Sequence, residues 1–519
     1  MTMLAIGLDG ANWNLVDKWI ADGKLPNLRR LKENGIGGTS KSCLPPLTVP
    51  NWKCYSTGKN PGNFGVFRFD RIDTESRSHT FHDYSDFDSP ELWDYLNADG
   101  LTTGIINKPS TYPPKAVDGF MVSGGPDASD SEYRSLESGF TYPSALGDEL
   151  QAAFDYDVHP TPMISPSETG DREVEAILDL IETRFQVARY LLDREAPDFL
   201  HLTIFYNMAL QHYFWREEPV LRAWKVIDEN LAGFIDDGHD LVIFSDHGTC
   251  RVDVTFYINV WLEENGYLTT EQTVDRRLRS LGFTRERALR IAKRLGMVDV
   301  LSKTVPERIQ KVLPWEEGLK RDRVLSAVDW DETSVLASNQ GPVYLTLDRD
   351  DAEYEPLRTE LIERLQALSH PETGAHIVDA VHRGEELYSG PYAGASPDLV
   401  IEQGDNVHTS DAIGPNSWWA NTGVWQGGNT RNGLFLFHGP SFRQGATDAD
   451  AEIVDIAPTI LHSMNVPVPD DMDGTVLDVF EDDADNAVTY RTPLSTPNSA
   501  ARTESESVEQ RLADLGYLE

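Results

Sequence analysis

Cysteine and lysine are scarce in this chain, and positive charge falls far short of its acid. The three cysteines in 519 residues, Cys43, Cys54 and Cys250, are odd in number and lack the paired spacing of a zinc ribbon or a redox motif. A disulfide framework and a cysteine-built metal site are therefore excluded as organising features. No apolar stretch approaches the ~20 residues that a membrane span needs. The first residues enter a strand-like segment without the basic, apolar and small-residue regions of a signal peptide, which predicts a cytoplasmic protein. Only 13 lysines occur, none of them after Lys320.

Acid is abundant: 85 Asp and Glu stand against 45 Lys and Arg, a net charge of −40. The acid is spread along the chain rather than gathered in a tail, and arginine takes most of the basic positions. That pattern reads as a halophilic surface, suited to molar salt where screening removes most self-repulsion. It opposes nucleic acid as a partner. Residues 270–325 depart from it, with 14 Lys and Arg against 8 Asp and Glu. Arg285 to Leu295 and Pro306 to Leu313 read there as short amphipathic helices, a basic insert that pairs with the acidic body or forms a lid over a substrate.

Three strand-like runs end at residues able to bind a metal or sit beside one. Met3 to Leu8 leads into Asp9-Gly10, Leu241 to Ser245 into Asp246-His247-Gly248, and Phe199 to Phe205 toward His212. In open α/β sheets ligands bind beyond the carboxyl ends of the strands, so groups placed there converge although distant in sequence. Thr48 joins them: in Leu47-Thr48-Val49-Pro50-Asn51 the proline marks a helix start, and a hydroxyl at a helix N-terminus beside a cation is placed to attack phosphorus. Asn51 is a candidate donor to the same phosphoryl oxygens. Taken singly, these features also read as a turn, a helix cap and a core histidine; their joint occurrence points to one site.

The segments Ile6 to Ala11, Pro45 to Pro50 with Thr57 to Gly62, Phe244 to Gly248, Glu385 to Pro391, Pro397 to Val400, Ile453 to Thr459 and Asp471 to Gly474 together resemble the type I phosphodiesterase/nucleotide pyrophosphatase branch of the alkaline phosphatase superfamily. The resemblance implies two metal ions, usually zinc, with manganese as the alternative. It assigns Asp9, Thr48, Asp246 and His247 to one site. For the second it offers only His212, because Met208 and Asn429 stand where an Asp and a His are expected. One imidazole does not hold a zinc ion, so a single divalent ion is expected, with Lys53 or Lys108 as candidate positive charge for a developing oxyanion. His201, Asn207 and His438 are further candidate ligands near strand ends.

The expected fold is a three-layer α/β/α sandwich, alkaline-phosphatase-like, with the helical insert. Its catalytic domain spans 1–480, followed by an acidic, Ser/Thr/Pro-rich linker over 481–507 and a short closing helix over 508–519. Residues 173–195 read as a long amphipathic scaffold helix, and 71–170 as loops beside the sheet. The expected function is metal-dependent hydrolysis of a phosphate ester, small or linked to a glycan or lipid, through a phosphothreonine intermediate. A phosphomutase or phosphotransferase differs only in the acceptor, and a metal- or anion-binding protein without turnover is the reading from another class.

Overall fold

The computed structural model describes residues 2–495 other than 75, 82–88, 125–138, 165–169, 271–326, 424, 446–448 and 482–486. The basic insert and the closing helix expected from the sequence lie outside the described residues.

The organising element is a sheet. Its strands are β1 (Met3–Leu8), β2 (Ile36–Lys41), β3 (Thr103–Ile106), β4 (Gly119–Val122), β5 (Thr141–Tyr142), β6 (Phe199–Ile204), β7 (Asp240–Phe244), β8 (Asn432–His438) and β9 (Ala449–Glu452). Among the described residues they form nine strands in the order β9-β2-β8-β7-β1-β6-β3-β4-β5. The run β7-β1-β6-β3-β4 is parallel, while β8 and β5 are antiparallel to their neighbours. β1, β6 and β7 are buried along their whole length, which explains why β1 and most of β7 read as continuous apolar runs, while β6 carries His201 and Thr203 bonded to each other among its apolar residues.

Helices pack in two groups. One comprises α1 (Trp13–Ala21), α2 (Pro26–Asn34), α4 (Asp171–Glu195) and α6 (Glu218–Asp236); the other holds α3 (Thr48–Thr57), Leu92–Ala98 and Ile456–Ser463. α4 begins two residues before the predicted helix and ends where predicted, with Val174, Ile177, Ile181, Phe185, Val187 and Leu191 buried. Pro26 opens α2 as its first residue, where its missing N–H goes unneeded. The loops read over 71–170 contain β3, β4 and β5, three strands of the main sheet; at two to four residues each they are too short to show a period in the sequence.

A second, smaller apolar cluster lies under a four-stranded sheet made by Val335–Ala337, Pro342–Leu345, Val378–Arg383 and Leu399–Gln403. Within the stretch read as a linker, Tyr490–Arg491 pairs with Val468–Pro469, and Arg491 forms an ion pair with Asp99 at 2.7 Å.

Register is what builds the site. β1 and β7 pair in parallel from Met3 opposite Asp240 to Gly7 opposite Phe244, and the same offset continued two residues sets Asp9 beside Asp246. β6 pairs with β1 on the other side, ending at Ile204 opposite Leu8, and delivers α5 (Asn207–Phe214) to the same end. A ribbon of Gly248–Arg251 and Gly427–Thr430 sets Asn429 opposite Thr249. Gly7 is required by this arrangement, since a Cβ there would lie 2.2 Å from the indole of Trp52 on α3.

Candidate active site

Asp9, Asp246 and His247 converge as the sequence predicts. Their donor atoms lie within 4.8 Å of one another, and among the described residues this is the only group of three or more His, Cys, Asp or Glu donors so arranged. His247 Nε2 is 3.3 Å from Asp246 Oδ2 and 3.6 Å from Asp9 Oδ1. Thr48, first residue of α3, places its Oγ1 3.2 Å from the same nitrogen. Donors bound at ~2.0–2.1 Å to one tetrahedral ion stand ~3.3 Å apart, so the spacing is that of a coordination shell.

Electrostatics support the same assignment. Asp9 Oδ2 accepts from the Trp52 indole at 3.0 Å and Asp246 Oδ1 from the Gly10 N–H at 3.3 Å, whereas Asp9 Oδ1 and Asp246 Oδ2 are buried and accept no hydrogen bond. Burial raises the Asp9 carboxyl to about 8 against the lowering effect of Trp52. Asp246 is raised well above its ordinary value by burial and then by the neighbouring Asp9 charge. Two buried carboxylates facing each other are unfavourable without a cation. Burial lowers His247 to about 4; the ring is neutral, and its Nδ1–H donates to the Gly248 carbonyl at 2.9 Å, leaving the Nε2 lone pair toward the carboxylates. These residues fit a divalent ion.

The other predicted residues fall differently. His212 is buried on α5 with Nδ1 donating to the Gly427 carbonyl at 2.8 Å and its ring 4.3 Å from that of Trp425; it is not one of the clustered donors. Met208 fills the place of the expected Asp, packed where a Gly10 Cβ would lie 2.2 Å from its Sδ, with Gly10 at φ +66°. His201 is held on both nitrogens, by Tyr55 Oη at 3.1 Å and Thr203 Oγ1 at 2.7 Å. His438 pairs opposite Leu241, near the start of β7 and far from Asp246.

Lys53 and Lys108, the candidates for oxyanion charge, meet at one buried carboxylate. Both ammonium groups bind Glu91 Oε1, at 2.8 and 3.2 Å, and Lys115 reaches Glu91 Oε2 at 3.3 Å. Burial opposes ionisation of Glu91, but the three lysines override it and hold the carboxyl far below its usual range. Buried lysine must pair, and the nearest carboxylate takes it. Asn51 likewise differs: its amide N–H groups donate to the carbonyls of Cys43, Pro45 and Leu47, so it braces the segment that presents Thr48.

The sequence reading overlooked Trp52, whose indole fixes Asp9, and Glu91. The first was visible two residues beyond Pro50; the second stands 38 and 17 residues from Lys53 and Lys108 and carries no local signal.

The centre is sealed. Asp9, Thr48 and His247 are 0% exposed and Asp246 and Asn429 1%. A cleft of about 1060 Å³ opens nearby, lined by Trp13, Trp215, Arg216, Thr249, Gln426 and Thr430 among others, and none of Asp9, Thr48, Asp246 and His247 lines it.

Sheet order, helix layers and the donors at the strand ends define a protein of the alkaline-phosphatase-like α/β/α class. Residues 3–441 match the type I phosphodiesterase / nucleotide pyrophosphatase family, and the chain belongs to that family of phosphoric ester hydrolases. Its fold is similar to that of phosphonoacetate hydrolase from Sinorhizobium meliloti in complex with phosphonoformate (16% identity, TM-score 0.55, 90% of this chain and 95% of that one). It is also similar to murine ectonucleotide pyrophosphatase/phosphodiesterase 5 (12%, 0.51, 93% and 100%) and to a mutant of the alkaline phosphatase PafA (13%, 0.53, 92% and 99%). No curated protein matches the sequence. Among the described residues no helix is long and apolar enough to cross a membrane.

Proposed function

We propose that the protein hydrolyses a phosphate ester by attack of the Thr48 hydroxyl on phosphorus, with one divalent ion, zinc or manganese, held by Asp9, Asp246 and His247. The observation that carries this reading is the 3.2 Å approach of Thr48 Oγ1 to His247 Nε2 beside two buried carboxylate oxygens that accept no hydrogen bond. The ion, when bound, supplies positive charge that lowers the pKa of the Thr48 hydroxyl and offsets charge on the phosphoryl oxygens. The N-terminus of α3 favours the same anion. Asn51 keeps Thr48 in place through the Cys43 to Leu47 carbonyls, and Trp52 orients Asp9. The Thr48 hydroxyl gives its proton to water, and the Oγ1–P bond forms as the bond to the ester oxygen breaks; that oxygen leaves with the electron pair and takes a proton from water, so that none is gained or lost. Hydrolysis of the phosphothreonine by a second water restores Thr48.

The substrate is a small or conjugated phosphate ester, and the site of action is a salt-rich cytoplasm. At 1 M salt the screening length falls to about 3 Å, so the net charge of −40 repels itself far less. The midpoint of thermal unfolding is expected to rise steadily as KCl is increased from low to molar concentration; a midpoint independent of salt would refute the halophilic reading.

Complete burial of the centre favours one other reading, a metal-binding protein without turnover. An assay of mono- and diester aryl phosphates alongside metal content separates the two: one ion with hydrolysis supports the enzyme, one ion with no hydrolysis of any ester the binder. The double substitution Met208→Asp with Asn429→His is expected to raise metal content from one ion per chain toward two, measured by elemental analysis. Unchanged content would show that those positions do not correspond to second-site ligands.

A further inference from the structure

The donors at this centre do not end with Asp9, Thr48, Asp246 and His247. Asn429 Nδ2 donates to the Pro46 carbonyl at 2.9 Å and lies 3.2 Å from His247 Nε2, so its amide stands at the same shell of atoms as Thr48 and the two carboxylates. Its Oδ1, one bond angle from that nitrogen, is buried and accepts no hydrogen bond. Leaving a buried amide oxygen unmatched is unfavourable. The bond to Pro46 fixes which way round the amide lies, since the reversed amide would set oxygen against oxygen. Asn207 shows the same pattern beside Asp9: its Nδ2 donates to the Asp9 carbonyl at 2.7 Å and its Oδ1 accepts nothing.

We propose that Asn429 Oδ1 is a further ligand of the metal centre, and that the resulting shell of four oxygens and one nitrogen suits an oxygen-preferring ion, Mn2+, better than four-coordinate zinc. This rests on the function proposed above. Zinc in closed protein sites takes four ligands, chiefly thiolate and imidazole, whereas carboxylate, carbonyl and hydroxyl oxygens suit manganese and magnesium at higher coordination number. No cysteine joins the cluster among the described residues. The residue aligned with a lost second-site histidine thus serves the first site, and the chain keeps one ion where its family implies two.

The test uses the full chain, stripped with chelator and titrated calorimetrically with MnCl2 and ZnCl2. Zinc binds more tightly in absolute terms at most such sites, so the readout is the change on substitution. Asn429→Ala is expected to weaken Mn2+ binding by about tenfold or more and Zn2+ binding by less than about threefold, as removal of one oxygen from a five-donor shell requires. The Mn2+-loaded variant should also gain one exchangeable water, seen as increased water-proton relaxation, which a structural role for the amide would not produce. Asn429→Asp, which keeps an oxygen, is expected to retain Mn2+ binding. Wild type binding one ion with Asn429→Ala unchanged, or both variants losing Mn2+ and Zn2+ alike, overturns the assignment of Asn429 and leaves the proposed function standing; wild type binding neither ion overturns both.

Discussion

Replacing Thr48 with alanine is expected to lower hydrolysis of an aryl phosphodiester by at least about 10³-fold, the scale of losing a nucleophile, while the protein stays folded. The hydroxyl makes one contact, 3.2 Å to His247 Nε2, and Thr48 caps nothing: the residue before α3 is Leu47, and no side-chain cap bond is made there. Stability should therefore change little, and the loss should fall on kcat. Thr48→Ser, which keeps the oxygen, should retain part of the rate. The measurement is steady-state kinetics with circular dichroism on the same samples. A Thr48→Ala variant that turns over within about threefold of wild type, far from the 10²-fold or larger losses typical of catalytic groups, would remove threonine from the chemistry and direct the search to water as nucleophile.

The largest effect on stability is expected at Glu91. Its carboxylate is the shared partner of Lys53, Lys108 and Lys115, and it also accepts from Ser56 Oγ at 3.0 Å. Glu91→Gln keeps the shape but leaves three ammonium groups without that charge, and removing one partner of a buried pair costs about 3–5 kcal/mol. Asp94, bound to Lys115 at 2.6 Å, offsets only part of this. The pH dependence has a definite sign. Glu91 is held below its ordinary pKa, so the stability it contributes is present above the unfolded value of ~4.3 and is lost as pH falls below it. The variant should have a lower denaturation midpoint at pH 7 and a shallower decline into acid. Equal midpoints in urea at pH 7 would mean that the lysines lose their charge without Glu91.

How far the sequence could be read follows from the same residues. β1, β6 and β7 announced themselves because strands buried on both faces are mostly apolar, and Asp9, Asp246 and His247 stood out because polar groups end the runs of β1 and β7. Thr48 was legible from its proline. β3 and β4 escaped because four residues between turns show no period. The pairing of the lysines was not legible because a local reading sees only that Lys53 is near Thr48; Glu91, which binds it, comes from a different part of the chain. Asn429 was visible only as a departure from the family pattern, and its contacts with Pro46 and His247 needed the ribbon in three dimensions.

Burial of the centre also fixes a clock. With every proposed ligand shielded, an ion can enter or leave only when the surrounding chain opens, and the Ser42 to Leu47 segment that leads into Thr48 is held closed by Asn51, Asn429 and the Tyr388 hydroxyl bound to the Leu44 carbonyl at 2.8 Å, among other bonds. Dissociation is then gated by backbone opening, and the rate at which a chelator strips the protein should level off at high chelator concentration instead of rising in proportion. The plateau would report how often this chain opens, with no substrate present.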